Sequence, residues 1–429
     1  MRLEVGTFPV RDVVFGSRTR WDDGILTIDR GPVLDRIRRD NRILDVDLVL
    51  ARPGESLRIV NVRDVIEPRV KVRGPGVTYP GICGRSIETA GSGVTHRLSG
   101  VAIVESANVV FYDGNDGWLD RFIDLAGPGA EAAPCGSLLN LCLVLKVTDE
   151  ISLEERNHAA HGAALDLSDT LARVTTDLTP PSKEVFELAP CDSSLPKVVY
   201  ITCLRSPQHY SGSLTASWMS VYGLTRLTPP WHLHPNELLD GAISGPASSH
   251  SATTSWTMVN NPIVLDLYGD HGRQINFAGC IAIRTRWSEQ SEKELTALQA
   301  AKLAQLLGAS GAVITYDAGG NDFIEVIHTV RACERLGIKT VLLTTETPPE
   351  AEGPPLLEPL AEAVAIVSTG IGRPSLERLA LPSPARVLGG SELMATASKP
   401  WERIPSNAPM DFHRWSDHYG LGCESAFEY

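Results

Sequence analysis

The strongest constraint on the fold of this chain is an alternation of short apolar runs with helical segments that begins near residue 275. INFAGCIAIRT is followed by EKELTALQAAKLAQLLG, then AVITY, FIEVIHTVRACERLG, KTVLLTTE, a shorter PLLEPLAE, and AVAIVSTG. Apolar strands separated by helices are the signature of a parallel sheet with helices on its faces. Gly308 and Gly337 stand where two of the helices should stop, because glycine accepts the left-handed backbone that closes a helix.

The first 150 residues are punctuated differently. RIVNVRDVI, RVKVRGPGV, GVAIVESANVVFY and LNLCLVLKV are short, rich in Val and Ile, and cut by Gly and Pro, which is the pattern of strands. Residues 152–174 open on Ser152, carry Glu154 and Glu155 in the first turn, and read as a capped helix. A chain of 429 residues exceeds what one hydrophobic core sustains. The expected fold class is therefore α/β, or α+β taken as a whole: a β-rich N-terminal domain (1–150) and a doubly wound parallel-sheet region near the C-terminus. Between them, 151–195 is expected to form a bridging helix and a turn-rich connector. The α/β domain is expected to span 196–380, with a Ser- and His-rich loop at 228–261, and a C-terminal arm to occupy 381–429.

Composition excludes several functions. Thirty-nine basic against 52 acidic residues give a net charge of −13, which opposes nucleic-acid backbones and anionic membrane surfaces. No stretch approaches the roughly 18 to 20 apolar residues of a membrane span. MRLEVGTFPVRDVVF lacks the apolar core of a secretory signal, so a cytoplasmic location is expected. The eight cysteines are scattered, without a C-x-x-C pair, and most are flanked by apolar residues, as expected of buried reduced thiols.

Ligands of open parallel sheets bind beyond the carboxyl ends of the strands. Polar residues stand at those positions: Asp317, Asn321 and Asp322 after AVITY, and Thr344 and Glu346 after KTVLL. They are candidate substrate-binding residues, although Asp322 also suits a helix N-cap. No G-x-G-x-x-G is present, so a dinucleotide site is not indicated. In TPPWHLHPNELLDGAISGPASSHS, His232 and His234 could share a metal if both project from one strand; an extended loop fits equally well, and no metal site is assigned.

Several longer blocks resemble the component B proprotein of glycine, sarcosine and betaine reductases and, more distantly, the D-proline reductase proprotein. They are RPGESLRIVNVRDVIEPRVKVRGPG, ETAGSGVTHRLSGVAIV, LPKVVYITCLRSP, ELLDGAISG, NNPIVLDLYGDHGRQINFAG and AAKLAQLLGASGAVIT, in order from residue 52 onward. The resemblance implies a substrate-binding subunit that works on a C–N bond of a small amino or N-substituted compound. A second component B-like subunit, carrying a redox-active cysteine or selenocysteine, would attack the adjacent carbon. It also implies self-cleavage at an internal cysteine between the Asp240–Ile243 element and Asn260–Pro262, leaving a pyruvoyl group. This chain has no cysteine between those landmarks. A serine-derived pyruvoyl group would have to arise at Ser248 or Ser249 with His250 as base; the expected reading is an intact chain whose loop only lines the substrate cleft, with Asp240 as a further candidate substrate-binding residue. Two other functions remain open: a non-reductive C–N lyase or hydrolase using the His-rich loop, and an inactive small-molecule-binding homologue.

Overall fold

The computed structural model describes residues 1–81, 83–86, 88–109, 120–131, 134–205, 209–210, 213–214, 220–222, 230–245, 253–285, 289–317, 320–346, 360–371, 381–389, 410–412 and 425–426. Among the described residues no helix is long and apolar enough to cross a membrane.

The N-terminal half contains two main sheets. Strands run in the order Ser182–Glu187, Arg2–Pro9, Gly93–Ser99, Arg69–Arg73 in one, and Asp120–Asp124, Leu57–Ile66, Val101–Ala107, Leu139–Val147, Ile43–Ala51 form the body of the other. Leu57–Ile66 and Val101–Ala107 are buried on both faces, so the charged Arg58, Arg63, Asp64 and Glu105 that they carry lie inside the protein. One face packs under helix Leu153–Ala172, where Ala160, Ala164, Leu165 and Leu171 meet Ile103, Leu141 and Leu143. The helix begins as its sequence predicts, with a capping box in which Ser152 Oγ accepts from Glu155 N at 3.2 Å and Ser152 N donates to Glu155 Oε2 at 3.0 Å.

The segment after 179 was expected to be a turn-rich connector. It contains the strand Ser182–Glu187, which pairs antiparallel with Arg2–Thr7. An exposed edge on the first strand of the chain supplies the unpaired backbone groups that organise it. Further along, Arg386–Leu388 pairs with Leu57–Ile59 and Met410–Phe412 with Asp120–Phe122, so two pieces of the region after 381 lie on the N-terminal sheet.

In the C-terminal half, five parallel strands lie in the spatial order Asn276–Thr285, Lys197–Arg205, Gly311–Tyr316, Lys339–Glu346, Ala365–Ile371. Numbered along the chain this is 2-1-3-4-5, the flavodoxin-like doubly wound order. Trp231–Leu233 and Ser425–Ala426 add antiparallel edges. Helices Gln290–Leu306 and Phe323–Arg335 cover one face through Ala297, Ala300, Ala301, Val326 and Val330. Both are followed by the expected glycines, Gly308 at φ +74° and Gly337 at φ +79°. The PLLEPLAE segment lies mostly outside the described residues.

The other face is covered by the short helices Pro235–Leu239, Ser255–Val259 and Pro262–Asp270, through Leu238, Leu239, Met258, Ile263 and Val264. Leu3 and Val5 of the first strand join the same cluster. Residues 235–245 and 253–270 are thus packed between the C-terminal sheet and the N-terminal half, and they form the seam of the molecule.

Candidate functional site

The seam is fixed by charges from the N-terminal half. Asp240 is fully buried; Lys71 Nζ and Gly91 N, the latter at 2.8 Å, donate to its Oδ2, and Thr95 Oγ1 donates to its Oδ1 at 2.5 Å. Arg69, itself paired with Glu67, donates to the carbonyls of Leu239 and Val259. Gly241 has φ +89°, and a Cβ there would stand 2.7 Å from Tyr79 Cδ1, so only glycine fits between the seam and that ring.

Beneath this segment lies a chain of polar side chains, all 2% exposed or less: Arg63, Asp64, Glu105, Asn157, His161, Ser244 and Ser255. Arg63 Nε donates to Glu105 Oε1 at 2.9 Å, and its other nitrogens reach Val109 O and Asn157 Oδ1. His161 Nδ1 lies 2.7 Å from Glu105 Oε2, and its Nε2 lies 3.4 Å from Ser244 Oγ. Ser244 Oγ lies 2.9 Å from Ser255 Oγ, which donates to Asp64 Oδ2 at 2.6 Å, while Ser255 N donates to Asp64 Oδ1 at 3.0 Å. Gly245 N donates to Ser255 Oγ at 3.3 Å.

A backbone irregularity accompanies this arrangement. Asn61 adopts φ +54° within Leu57–Ile66, and the register against Val101–Ala107 shifts between Val62 and Asp64. Such a bulge changes which face successive side chains take. Ser244, His161 and Glu105 stand in one line, with the Ser244–His161 contact looser than the His161–Glu105 contact.

The two carboxyls are driven in opposite directions. Burial, the largest influence, pushes Asp64 up to about 7, against the pull of His161 and the Ser255 hydroxyl. Burial also presses Glu105 upward, but His161 and Arg63 together outweigh it and hold that carboxyl below its ordinary value.

Of the sequence-predicted residues, Asp240 is brought to the seam, where the N-terminal half engages both of its oxygens. Ser248, Ser249 and His250 lie outside the described residues; Gly245 and Thr253 flank that gap. The carboxyl-edge residues rest on the C-terminal sheet instead. Asp317 N donates to Cys203 O at 3.1 Å at the switch point, Asn321 O accepts from Lys293 Nζ at 3.1 Å, and buried Asp322 is the N-cap residue of Phe323–Arg335 without a side-chain capping bond. Thr344 Oγ1 lies 2.7 Å from Tyr316 OH, and Glu346 ends its strand opposite Ile371. His232 is exposed on Trp231–Leu233, whereas His234 Nδ1 accepts from Asn236 N at 3.2 Å as a helix cap. Burial, with smaller repulsion from the N-terminal charge and His232, pushes His234 down to about 4. Among the described residues no group of three or more His, Cys, Asp or Glu is placed to hold a metal ion.

Sequence reasoning missed Arg63, Asp64, Glu105, His161, Ser244 and Ser255. Three of them left a signal: Arg63, Asp64 and Glu105 are ionisable residues inside the β runs NVRDVI and AIVESA, where a charge needs a partner. A cleft of about 270 Å³ opens elsewhere on helix Leu153–Ala172, lined by Arg36, Arg42, Arg85, His158 and Cys83. Burial pushes the Cys83 thiol up to about 12, as it does those of Cys135, Cys142 and Cys333, and it raises Cys203 and Cys280 well above the ordinary thiol value. These six cysteines are not thiolates at neutral pH.

Comparison with known proteins supplies the family. A model of glycine/sarcosine/betaine reductase component B subunits matches residues 1–408. The chain is 35% identical over 355 residues to glycine reductase complex component B subunits alpha and beta of Peptoclostridium acidaminophilum, covering 81% of this chain and 80% of that protein. It is 32% identical over 382 residues to the sarcosine reductase complex component B subunit alpha of the same organism, covering 87% and 86%. Against that organism's betaine reductase complex component B subunit alpha it is 34% identical over 411 residues, covering 92% and 89%. No solved structure matches. With a match that runs through both halves and the seam between them, the chain belongs to the glycine/sarcosine/betaine reductase component B family.

Proposed function

We propose that this protein is a component B-like substrate-binding subunit that presents a C–N bond of a small amino or N-substituted compound to a thiol- or selenol-bearing partner subunit. The observation that carries the reading is the buried acid–base chain joining Ser244 and Ser255, on either side of the segment that the resemblance associates with chemistry. A partner is supported by the cysteines: six of the eight are held protonated at neutral pH by burial and are poorly suited to attack carbon. Asp240, Asp317, Asn321, Asp322, Thr344 and Glu346 are retained as proposed substrate-binding positions, with Asp240 shaping the seam and the others the carboxyl edge of the sheet.

A thiol-derived pyruvoyl group does not fit this chain, because no cysteine stands between Asp240 and Pro262. We infer an intact chain. Ser248, Ser249 and His250 are the proposed positions for a serine-derived group if one forms. A non-reductive reaction through the His-rich loop has less support, since the His234 ring serves as a helix cap.

The test is the intact mass of the purified chain, followed by turnover of glycine, N-methylglycine and N,N,N-trimethylglycine with and without a candidate partner subunit. A single species of 46.4 kDa, active only with the partner, supports the reading. Two fragments breaking at Ser248 or Ser249 establish serine-derived processing and overturn the intact-chain part. Full activity of the chain alone overturns the requirement for a partner.

A further inference from the structure

The cleft on helix Leu153–Ala172 is built where three separate segments meet. Arg36 comes from the last turn of helix Arg30–Ile37, Asp40 and Arg42 from the turn before strand Ile43–Ala51, and Cys83, Gly84 and Arg85 from a turn against the long helix. The long helix itself contributes Gly162 and Asp166. A Cβ on Gly162 would stand 3.3 Å from Cys83 Cβ, so the glycine lets turn and helix approach closely. The volume is about 270 Å³. That is just below the roughly 300 to 1,000 Å³ of sites for drug-sized molecules, and it gives room for one small ligand.

The charges around the cleft are held in fixed orientations. Arg36 Nε and Nη2 donate to Asp166 Oδ2 and Oδ1 at 2.5 and 2.8 Å, and Arg42 Nε and Nη2 donate to Asp40 Oδ1 and Oδ2 at 2.9 and 2.7 Å. Each guanidinium is thus gripped along one edge, and among the described residues its Nη1 is free. Arg85 is steadied by Leu165 O, 3.4 Å from its Nη1, and by Asp169 Oδ1, 3.7 Å from its Nη2. Ion pairs as exposed as those of Arg36 and Arg42 contribute little to stability, but they set the direction of the open edges. Each carboxylate keeps lone pairs for a further donor. Three guanidiniums against the two carboxylates Asp40 and Asp166 leave one surplus positive charge, in a chain whose net charge is −13.

We propose that this cleft is a binding site for a small zwitterionic amino acid, whose carboxylate bridges the open edges of Arg42 and Arg85 and whose ammonium group faces Asp40 and Asp166. A zwitterion matches both signs of charge at once, and the planar fork of arginine suits a carboxylate. An anion alone would meet the two aspartates, and a cation alone the three guanidiniums. The inference deepens the component B-like reading and rests on it for the size and amino character of the ligand: the cleft is the seat of the substrate. Cys83 lines the same cleft with its thiol held protonated by burial, so the site binds without supplying a nucleophile.

The test is calorimetric titration of the full-length chain, without a partner, using glycine, N-methylglycine and N,N,N-trimethylglycine. Acetate and tetramethylammonium serve as the two halves of the charge pattern. At least one zwitterion is expected to bind more tightly than either half. Arg42→Met and Arg85→Met are each expected to weaken that zwitterion by about tenfold or more, the loss of one charge-assisted contact. Melting curves establish that each variant is folded, and Arg36→Met, at an exposed position, replaces either one that is not. Absence of zwitterion binding overturns the proposal, as does acetate binding as tightly as the zwitterions. Binding that is unchanged in the folded arginine variants also overturns it, because the ligand then sits elsewhere. Since the titration uses neither partner nor turnover, its failure leaves the component B-like reading standing if the chain turns over substrate with a partner. Arginine-dependent binding without turnover would instead sustain the site and remove that reading.

Discussion

Ser244 Oγ and Ser255 Oγ lie 2.9 Å apart although 11 positions separate them in sequence. That contact closes the base of the intervening segment and joins a carboxyl on one strand to a histidine–carboxylate pair on a helix and another strand. Replacing Ser255 by Ala removes the hydroxyl contacts to Asp64 Oδ2, Ser244 Oγ and Gly245 N. The expected loss is about 1 to 3 kcal/mol, the desolvation penalty of buried groups left unmatched. A melting midpoint equal to that of the parent protein would show that these contacts contribute little.

Asp64 and Glu105 give opposite pH signatures. The folded value of Asp64, about 7, exceeds its ordinary 3.8, so its contribution to stability is full below about pH 4 and lost as pH rises through 7. Glu105 is held below its ordinary 4.5, so its contribution is present above that value and lost as pH falls through the lower folded value. Asp64→Asn removes the first dependence only. Between about pH 4 and 7 the parent protein is expected to lose stability relative to the variant by on the order of 4 kcal/mol, the free-energy equivalent of a shift of this size. Parallel melting curves for the two across this range would contradict the assignment.

Arg58 and Asp124 form a buried bidentate pair at 2.6 and 2.8 Å, with the guanidinium 4.9 Å from the Phe122 ring. Removing one partner strands the other in a core, so Asp124→Ala is expected to cost about 3 to 5 kcal/mol. Arg58 also reaches Pro382 O at 3.4 Å. Protease cleavage after residue 381 should therefore accelerate in this variant, and unchanged digestion would separate the pair from the anchoring of that segment.

Lys71 and Asp240 fix the seam from its other side. Lys71→Met leaves the Asp240 carboxylate buried with Gly91 N and Thr95 Oγ1 as its remaining partners, and should destabilise by about 3 to 5 kcal/mol. Adding Asp240→Asn should recover part of that loss, because the uncompensated charge is gone. A double-mutant cycle measures the recovery, and strict additivity would mean that the ion pair is not coupled.

Much of the architecture is legible in the sequence. The alternating runs after 275 specify parallel strands and helices because burial on two faces demands continuous apolar strands, and the Ser152 cap and the glycines after the helices are local chemistry that a few neighbouring residues decide. The strand Ser182–Glu187 was not legible: only Val185 and Phe186 give it β character, and its partner is the first strand of the chain, nearly 180 residues away. The site was partly legible. Asp240 was found through its motif, whereas Asp64, Glu105 and His161 carry no motif and appear singly within ordinary strands and a helix.

The sequence by itself determined the local periods, the helix ends, the absence of a cysteine between Asp240 and Pro262, and the blocks that identify the family. Only the tertiary structure decided which ionisable residues meet. Ser255 and Asp64 are 191 positions apart, His161 and Glu105 are 56 apart, and Ser244 and His161 are 83 apart. No local pattern encodes contacts of that separation. They arise because the seam helices and strands bury their apolar faces together, leaving the polar groups carried into that interior to satisfy one another.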